Sequence, residues 1–135
     1  MIISSVNNAN INASSNIQTI QNKTVNYYNN TSGYLVYPEL NQNDTTQEVP
    51  AVIVIHENRG LNDNIKATAN LLSKHGDVVL TVDLFQGELT AYPSRARQLA
   101  SFVRDNSDIA IENMRSAVSY LSTLENVNAS RIASL

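Results

Sequence analysis

Pro50-Ala51-Val52-Ile53-Val54-Ile55-His56-Glu57-Asn58-Arg59-Gly60-Leu61 is the stretch on which the fold turns. Residues 51–55 form an unbroken apolar run of strand length. A strand with one face in water alternates polar and apolar side chains. A run without alternation is buried on both faces, as in a parallel sheet. The polar segment 56–62 is therefore the loop at the carboxyl end of a parallel strand, and open α/β sheets bind their ligands at such ends.

Downstream, Asn62 and Asp63 can each cap a helix by accepting a backbone N–H. Ile65, Ala69 and Leu72 follow at helical spacing with Leu71 beside them, and Lys74-His75-Gly76 is a typical helix end. Residues 78–82 (VVLTV) read as a second buried strand and 83–92 as its loop. Pro93 suits a first helical turn, and Ala96, Leu99, Ala100 and Val103 continue it. Residues 105–108 break that helix and can start another. The next stripe, Ala110, Met114, Ala117, Val118, Leu121 and Leu124, reads as core. A third apolar run begins at Ile132, and the sequence ends inside it. From residue 50 the order predicts a β-α-β-α-β parallel sheet with right-handed crossovers.

Upstream, residues 23–28 and 34–38 hold the Val and Tyr that suit strands. Asn29-Asn30-Thr31-Ser32-Gly33 supplies turn residues between them, so a hairpin is expected. Residues 41–48 form a polar loop. Residues 1–22 are rich in Asn and Ser with isoleucines scattered without a period, and read as a leader or disordered segment. The domain is expected over residues 23–135.

Composition excludes several classes. Nine Lys and Arg against twelve Asp and Glu give a net charge of −3 without a basic patch, which argues against a nucleic-acid partner. Without cysteine the chain itself holds no disulfide, zinc–thiolate site or thiol nucleophile. Its apolar runs are too short for a membrane span. Four glycines and no Gly-x-Gly-x-x-Gly or Walker loop argue against nucleotide binding. His56-Glu57 lacks the second histidine of a zinc-protease helix, and residues 62–64 lack the acidic spacing of a calcium loop. No metal or cofactor site is expected. Asn-x-Ser/Thr occurs at Asn12, Asn22, Asn29, Asn30, Asn43 and Asn128. An Asn-rich composition creates such sites by chance, so they leave cytoplasmic and exported locations both open.

The segment from Pro50 to Leu61, with HENRG at its centre, resembles the first parallel strand and loop of the dienelactone hydrolase family. Residues 78–85 (VVLTVDLF) resemble that family's next strand. Residues 117–135 are similar to the helix and strand leading to its nucleophile elbow. The resemblance covers roughly residues 24–135, and HENRG is its most specific part. It implies an incomplete α/β-hydrolase fold truncated at the strand before the elbow. It also implies an enzyme that cleaves an ester or lactone of a small carboxylate through a Cys-Asp-His triad. Triads of this fold run nucleophile, acid, histidine, so all three are expected downstream of Leu135. The chain alone is then expected to be inactive. The rival reading is a non-catalytic α/β binding or structural remnant. Neither reading fixes an oligomeric state.

Four residues are singled out. The resemblance implies that Glu57 contacts the resting nucleophile thiol; otherwise it is a loop carboxylate that accepts nearby N–H groups. The backbone N–H of Asn58 is a candidate oxyanion donor or merely shapes the turn. Arg59 attracts an anionic substrate or faces water. The family places a substrate-carboxylate arginine near Arg95 and Arg97; spacing chooses neither, and Arg95 is carried as the expectation. Gly60 serves a positive φ or a close backbone approach. His56 reads as a hydrogen-bonded structural histidine, because the triad histidine comes last in this fold. His75 reads as a helix-terminal cation. Asp83 reads as an acceptor for loop N–H groups rather than a catalytic acid.

Overall fold

The computed structural model describes residues 17–41, 43, 44 and 46–135. Of the leader expected over residues 1–22, residues 20–22 belong to the first strand, while residues 1–16 lie outside the described residues. Within them the order is β1 (Ile20–Tyr28), β2 (Thr31–Pro38), β3 (Val49–Ile55), α1 (Asp63–Lys74), β4 (Val78–Val82), α2 (Pro93–Asp105), α3 (Ser107–Ser122) and β5 (Val127–Ser134). The expected hairpin is present as β1 and β2, antiparallel and joined at Asn29-Asn30. Its first strand begins at Ile20, earlier than the expected residue 23. Asn29 takes the positive φ of 45° that a tight turn requires, a conformation Asn tolerates.

The five strands form one mixed sheet in the order β1-β2-β4-β3-β5. β4, β3 and β5 are parallel, while β2 lies antiparallel to β4. Sequence periodicity explains the layering. In β4, Val78, Leu80 and Val82 pack with Ala51 and Ile53 of β3 and with Ala117 and Leu121 of α3. The alternate residues Val79 and Val54 pack with Ala69 of α1 on the opposite face. Both strands are thus covered on both faces, as their unbroken apolar runs require. Asn62 caps α1, its side chain accepting from the N–H groups of Asn64 and Ile65.

Two expectations need correction. The last strand starts at Val127, not Ile132. Val127 pairs with Val49 and Ile132 with Ala51, so residues 128–131 bulge out between them. Asn128 stabilises the bulge by accepting from both the N–H and the hydroxyl of Ser130. Polar side chains fit there because they are not asked to pack. The α3 stripe also differs. Val118 is 42% exposed, whereas Asn113 is buried on the inner face.

Candidate active site

Parallel pairing of β3 with β4 and β5 brings three carboxyl ends to one edge of the sheet. The Leu135 N–H donates to Ile53 O at 2.8 Å, and the Ile55 N–H donates to Leu135 O at 2.9 Å. Leu135 therefore sits opposite Val54, two residues before His56.

That loop is a tight turn. The Gly60 N–H donates to Glu57 O at 3.1 Å, and Gly60 takes a φ of +86°. A second chain segment presses against it, with the Thr90 N–H donating to Arg59 O at 3.3 Å. Both roles expected of Gly60, positive φ and close approach, are present together.

His56 is buried and tied at both ring nitrogens. Its Nε2 accepts from the Leu84 N–H at 3.0 Å, and its Nδ1 lies 2.7 Å from Glu57 O. The Phe85 ring meets it edge-on, with centroids 4.6 Å apart. This is the structural histidine the sequence predicts.

Asp83 closes the β4 loop. Its Oδ1 accepts from the Phe85 N–H at 2.9 Å and its Oδ2 from the Gly87 N–H at 2.7 Å. Burial pushes its carboxyl up. The Phe85 and Gly87 N–H groups donating to it favour the ionised form and hold it below the ordinary carboxylate range.

Two further residues complete this shell, and sequence reasoning missed both. The Tyr27 hydroxyl accepts from the Asp83 N–H at 2.9 Å and donates to Asn113 Oδ1 at 2.7 Å. Asn113 Nδ2 in turn donates to Asp83 O at 3.3 Å. Burial, outweighing these hydrogen bonds, pushes the Tyr27 phenol up to about 12. The available signal was Asn113 itself, a polar residue one position before Met114 in an apolar helix stripe.

Glu57, Asn58 and Arg59 are exposed on the turn. Among the described residues, no side-chain hydrogen bond or ion pair engages Glu57 or Arg59. Arg95 differs. It grips Glu88 through both Nε and Nη2, the latter 2.7 Å from Oε2. Hydrogen bonding to Arg95 holds the Glu88 carboxyl below its ordinary value. A substrate carboxylate would have to displace Glu88 to reach Arg95. The pair lines a cavity of about 460 Å³ together with Phe85, Leu99 and Phe102. This cavity lies beside the β4 loop, and Phe85 connects it to His56. Among the described residues no cluster of His, Asp and Glu could hold a metal ion, and no helix is long and apolar enough to cross a membrane.

The dienelactone hydrolase family model matches residues 31–135. The chain is 45% identical over 51 residues to YghX of Escherichia coli (strain K12), a protein named as a hydrolase fragment. That match takes in 38% of this chain and 40% of YghX. The fold is similar to the solved structure m3DLH, with a TM-score of 0.71 at 24% identity. It is also similar to P91, a dienelactone hydrolase-like promiscuous phosphotriesterase from metagenomic libraries, with a TM-score of 0.69 at 19% identity. Each comparison covers 87% of this chain and 48% of the solved chain. The chain thus spans about half the length of these structures, and at such identities the likeness is one of fold.

Proposed function

Since the chain belongs to the dienelactone hydrolase family, we propose that it forms the N-terminal part of an α/β-hydrolase that cleaves an ester or lactone of a small carboxylate. The observation that carries this reading is the placement of Leu135. It lies opposite Val54 of β3, two residues before His56, so a chain continuing from Leu135 leaves the sheet beside the loop that carries Glu57. A cysteine placed there has Glu57 as a partner for its resting thiol. The Glu57 side chain, unpaired among the described residues, fits that role.

The chemistry follows from the parts. A thiolate attacks the substrate carbonyl carbon and forms a C–S bond, and the carbonyl π electrons move to oxygen. The Asn58 N–H is one donor to that oxyanion, and the residue after the nucleophile supplies the other. Collapse breaks the C–O bond, and a histidine from beyond Leu135 protonates the leaving alkoxide. Water then hydrolyses the thioester, and the thiolate returns. Among the described residues, Arg59 is the nearby cation without a carboxylate partner and can attract an anionic substrate, while Arg95 is neutralised by Glu88. This chain by itself supplies neither nucleophile nor histidine base, and we expect it to be inactive.

The test is to read the codons that follow Leu135 and to assay the complete product on an activated ester. A Gly-x-Cys-x-Gly frame shortly after Leu135, followed later by Asp and His, with turnover lost on Cys→Ala, supports the hydrolase. A stop without such a frame favours a non-catalytic remnant. Turnover by this chain alone that disappears in Glu57→Ala would overturn the expected inactivity.

A further inference from the structure

We propose that His56 is a positioning residue: its neutral ring clamps the Glu57–Asn58 peptide so that the Asn58 N–H is held facing away from the ring, as the donor for the substrate oxyanion. The proposal rests on the hydrolase reading and adds to it the residue that fixes the donor's direction.

The hydrogen bonds determine the tautomer. The Leu84 backbone N–H can only donate, and it points at Nε2 from 3.0 Å. Nε2 is therefore bare, and the single proton of the neutral ring is on Nδ1. Nδ1 lies 2.7 Å from Glu57 O, which can only accept. The two bonds thus require the same ring state. Asp83 Oδ1 is 3.6 Å from Nε2, too far for a competing hydrogen bond. The His56 side chain is only 2% exposed and rests against Phe85, so water is kept from the exchange.

The Glu57 carbonyl is held from two sides, by His56 Nδ1–H and by the Gly60 N–H at 3.1 Å. The peptide is trans, so its C=O and N–H point in opposite directions. Fixing the Glu57 oxygen on the ring therefore fixes the Asn58 hydrogen on the far side. Asn58 itself is exposed. An oxyanion hole needs such a donor aimed in advance, because reorientation during reaction forfeits the stabilisation.

Two amide variants separate positioning from bulk stability. The Asn side chain places an amide nitrogen where His56 has Nδ1, keeping the bond to Glu57 O and losing the one from Leu84. Gln places an acceptor near Nε2, keeping Leu84 and losing Glu57 O. Each forfeits one hydrogen bond. The ring of the ¹⁵N-labelled chain is expected to show a protonated Nδ1 and a bare Nε2. The residual dipolar coupling of the Asn58 N–H is expected to be retained in His56→Asn and averaged towards zero in His56→Gln. In the complete hydrolase, kcat is expected to be lower in His56→Gln than in His56→Asn by roughly tenfold or more, with KM unchanged.

A proton on Nε2 overturns the proposal, even if neither variant folds. So do couplings retained in both variants, or kcat equal in both while the wild type turns over. Absence of turnover in the complete wild-type protein is distinguishable from these. It removes the hydrolase reading, and the clamp then has no oxyanion to serve.

Discussion

A Cβ added at Gly60 would lie 2.4 Å from the Glu88 carbonyl oxygen. That is backbone against backbone, so no side-chain rotation relieves it. Gly60→Ala must push the β4–α2 loop off the HENRG turn and also strain a φ of +86°. We expect a loss of about 2 kcal/mol or more. Gly87 is the control: its φ is +92°, but nothing lies within 4 Å of the point where a methyl group would sit. Gly87→Ala should cost only the conformational penalty of about 1 kcal/mol. Thermal unfolding of the two variants measures the difference, and equal losses would contradict the close-approach argument.

Tyr27→Phe should destabilise the chain by about 1–3 kcal/mol, because it strands the buried Asp83 N–H and Asn113 Oδ1. The phenol also predicts an alkaline transition. Its folded value of about 12 exceeds the ordinary 10.0 of a tyrosine, so the folded state holds the proton more tightly. The contribution is complete below pH 10 and is lost as pH rises through about 12. Urea midpoints should fall across that window in the wild type and be flatter in Tyr27→Phe. Absorbance of the ionised phenol should show a late step near pH 12 that is absent in Tyr27→Phe.

Asp83 carries the opposite sign. Its folded value is depressed, so its contribution is present above the unfolded carboxylate value and is lost as pH falls through the lower folded value. Asp83→Asn replaces one acceptor by an N–H donor facing either Phe85 or Gly87. A loss of about 1–3 kcal/mol at neutral pH is expected, together with a smaller acid dependence. Denaturant titrations between neutral pH and the acid limit check both. An unchanged acid limb would assign it to other carboxylates.

The α3–β5 side presents an apolar groove of about 380 Å³ between Ile111, Met114 and Val118 on the helix and Ile132 and Ala133 on the strand. Ile111 is 48% exposed and Val118 42%. Exposed apolar patches promote association. Ile111→Glu combined with Val118→Lys should shift the chain towards monomer in sedimentation velocity. Association that persists would point instead to pairing through the β5 edge.

Much of this architecture is legible locally. Residues 51–55 and 78–82 are apolar without alternation because both faces are covered, and Asn62 and Pro93 mark helix starts through their own backbone chemistry. The placement of β2 beside β4 is not legible, because antiparallel pairing of Tyr34 with Thr81 leaves no mark near either residue. Val118 keeps the helical period yet is exposed, since the apolar stripe of α3 is wider than the surface that covers it. Resemblance marks out the HENRG turn, and its exposed residues Glu57 and Asn58 do occupy one strand end. The shell that braces this turn is hidden from sequence. Tyr27 and Asn113 are separated by 86 positions, and Glu88 meets Arg95 from a loop rather than at a helical interval.

That separation also sets a schedule for biosynthesis. Tyr27 is translated 86 residues before Asn113, its hydrogen-bond acceptor. At bacterial-to-eukaryotic elongation rates this is a delay on the order of 4–17 s. Asp83, its donor, is made 56 residues after it. Until Asp83 is made the phenol has only water to satisfy it, and it gains its acceptor only with Asn113, so the hairpin precedes its own locking contacts. Locking awaits emergence of α3, and a pause in translation before Asn113 would prolong the stage at which a chaperone could still engage the first strands.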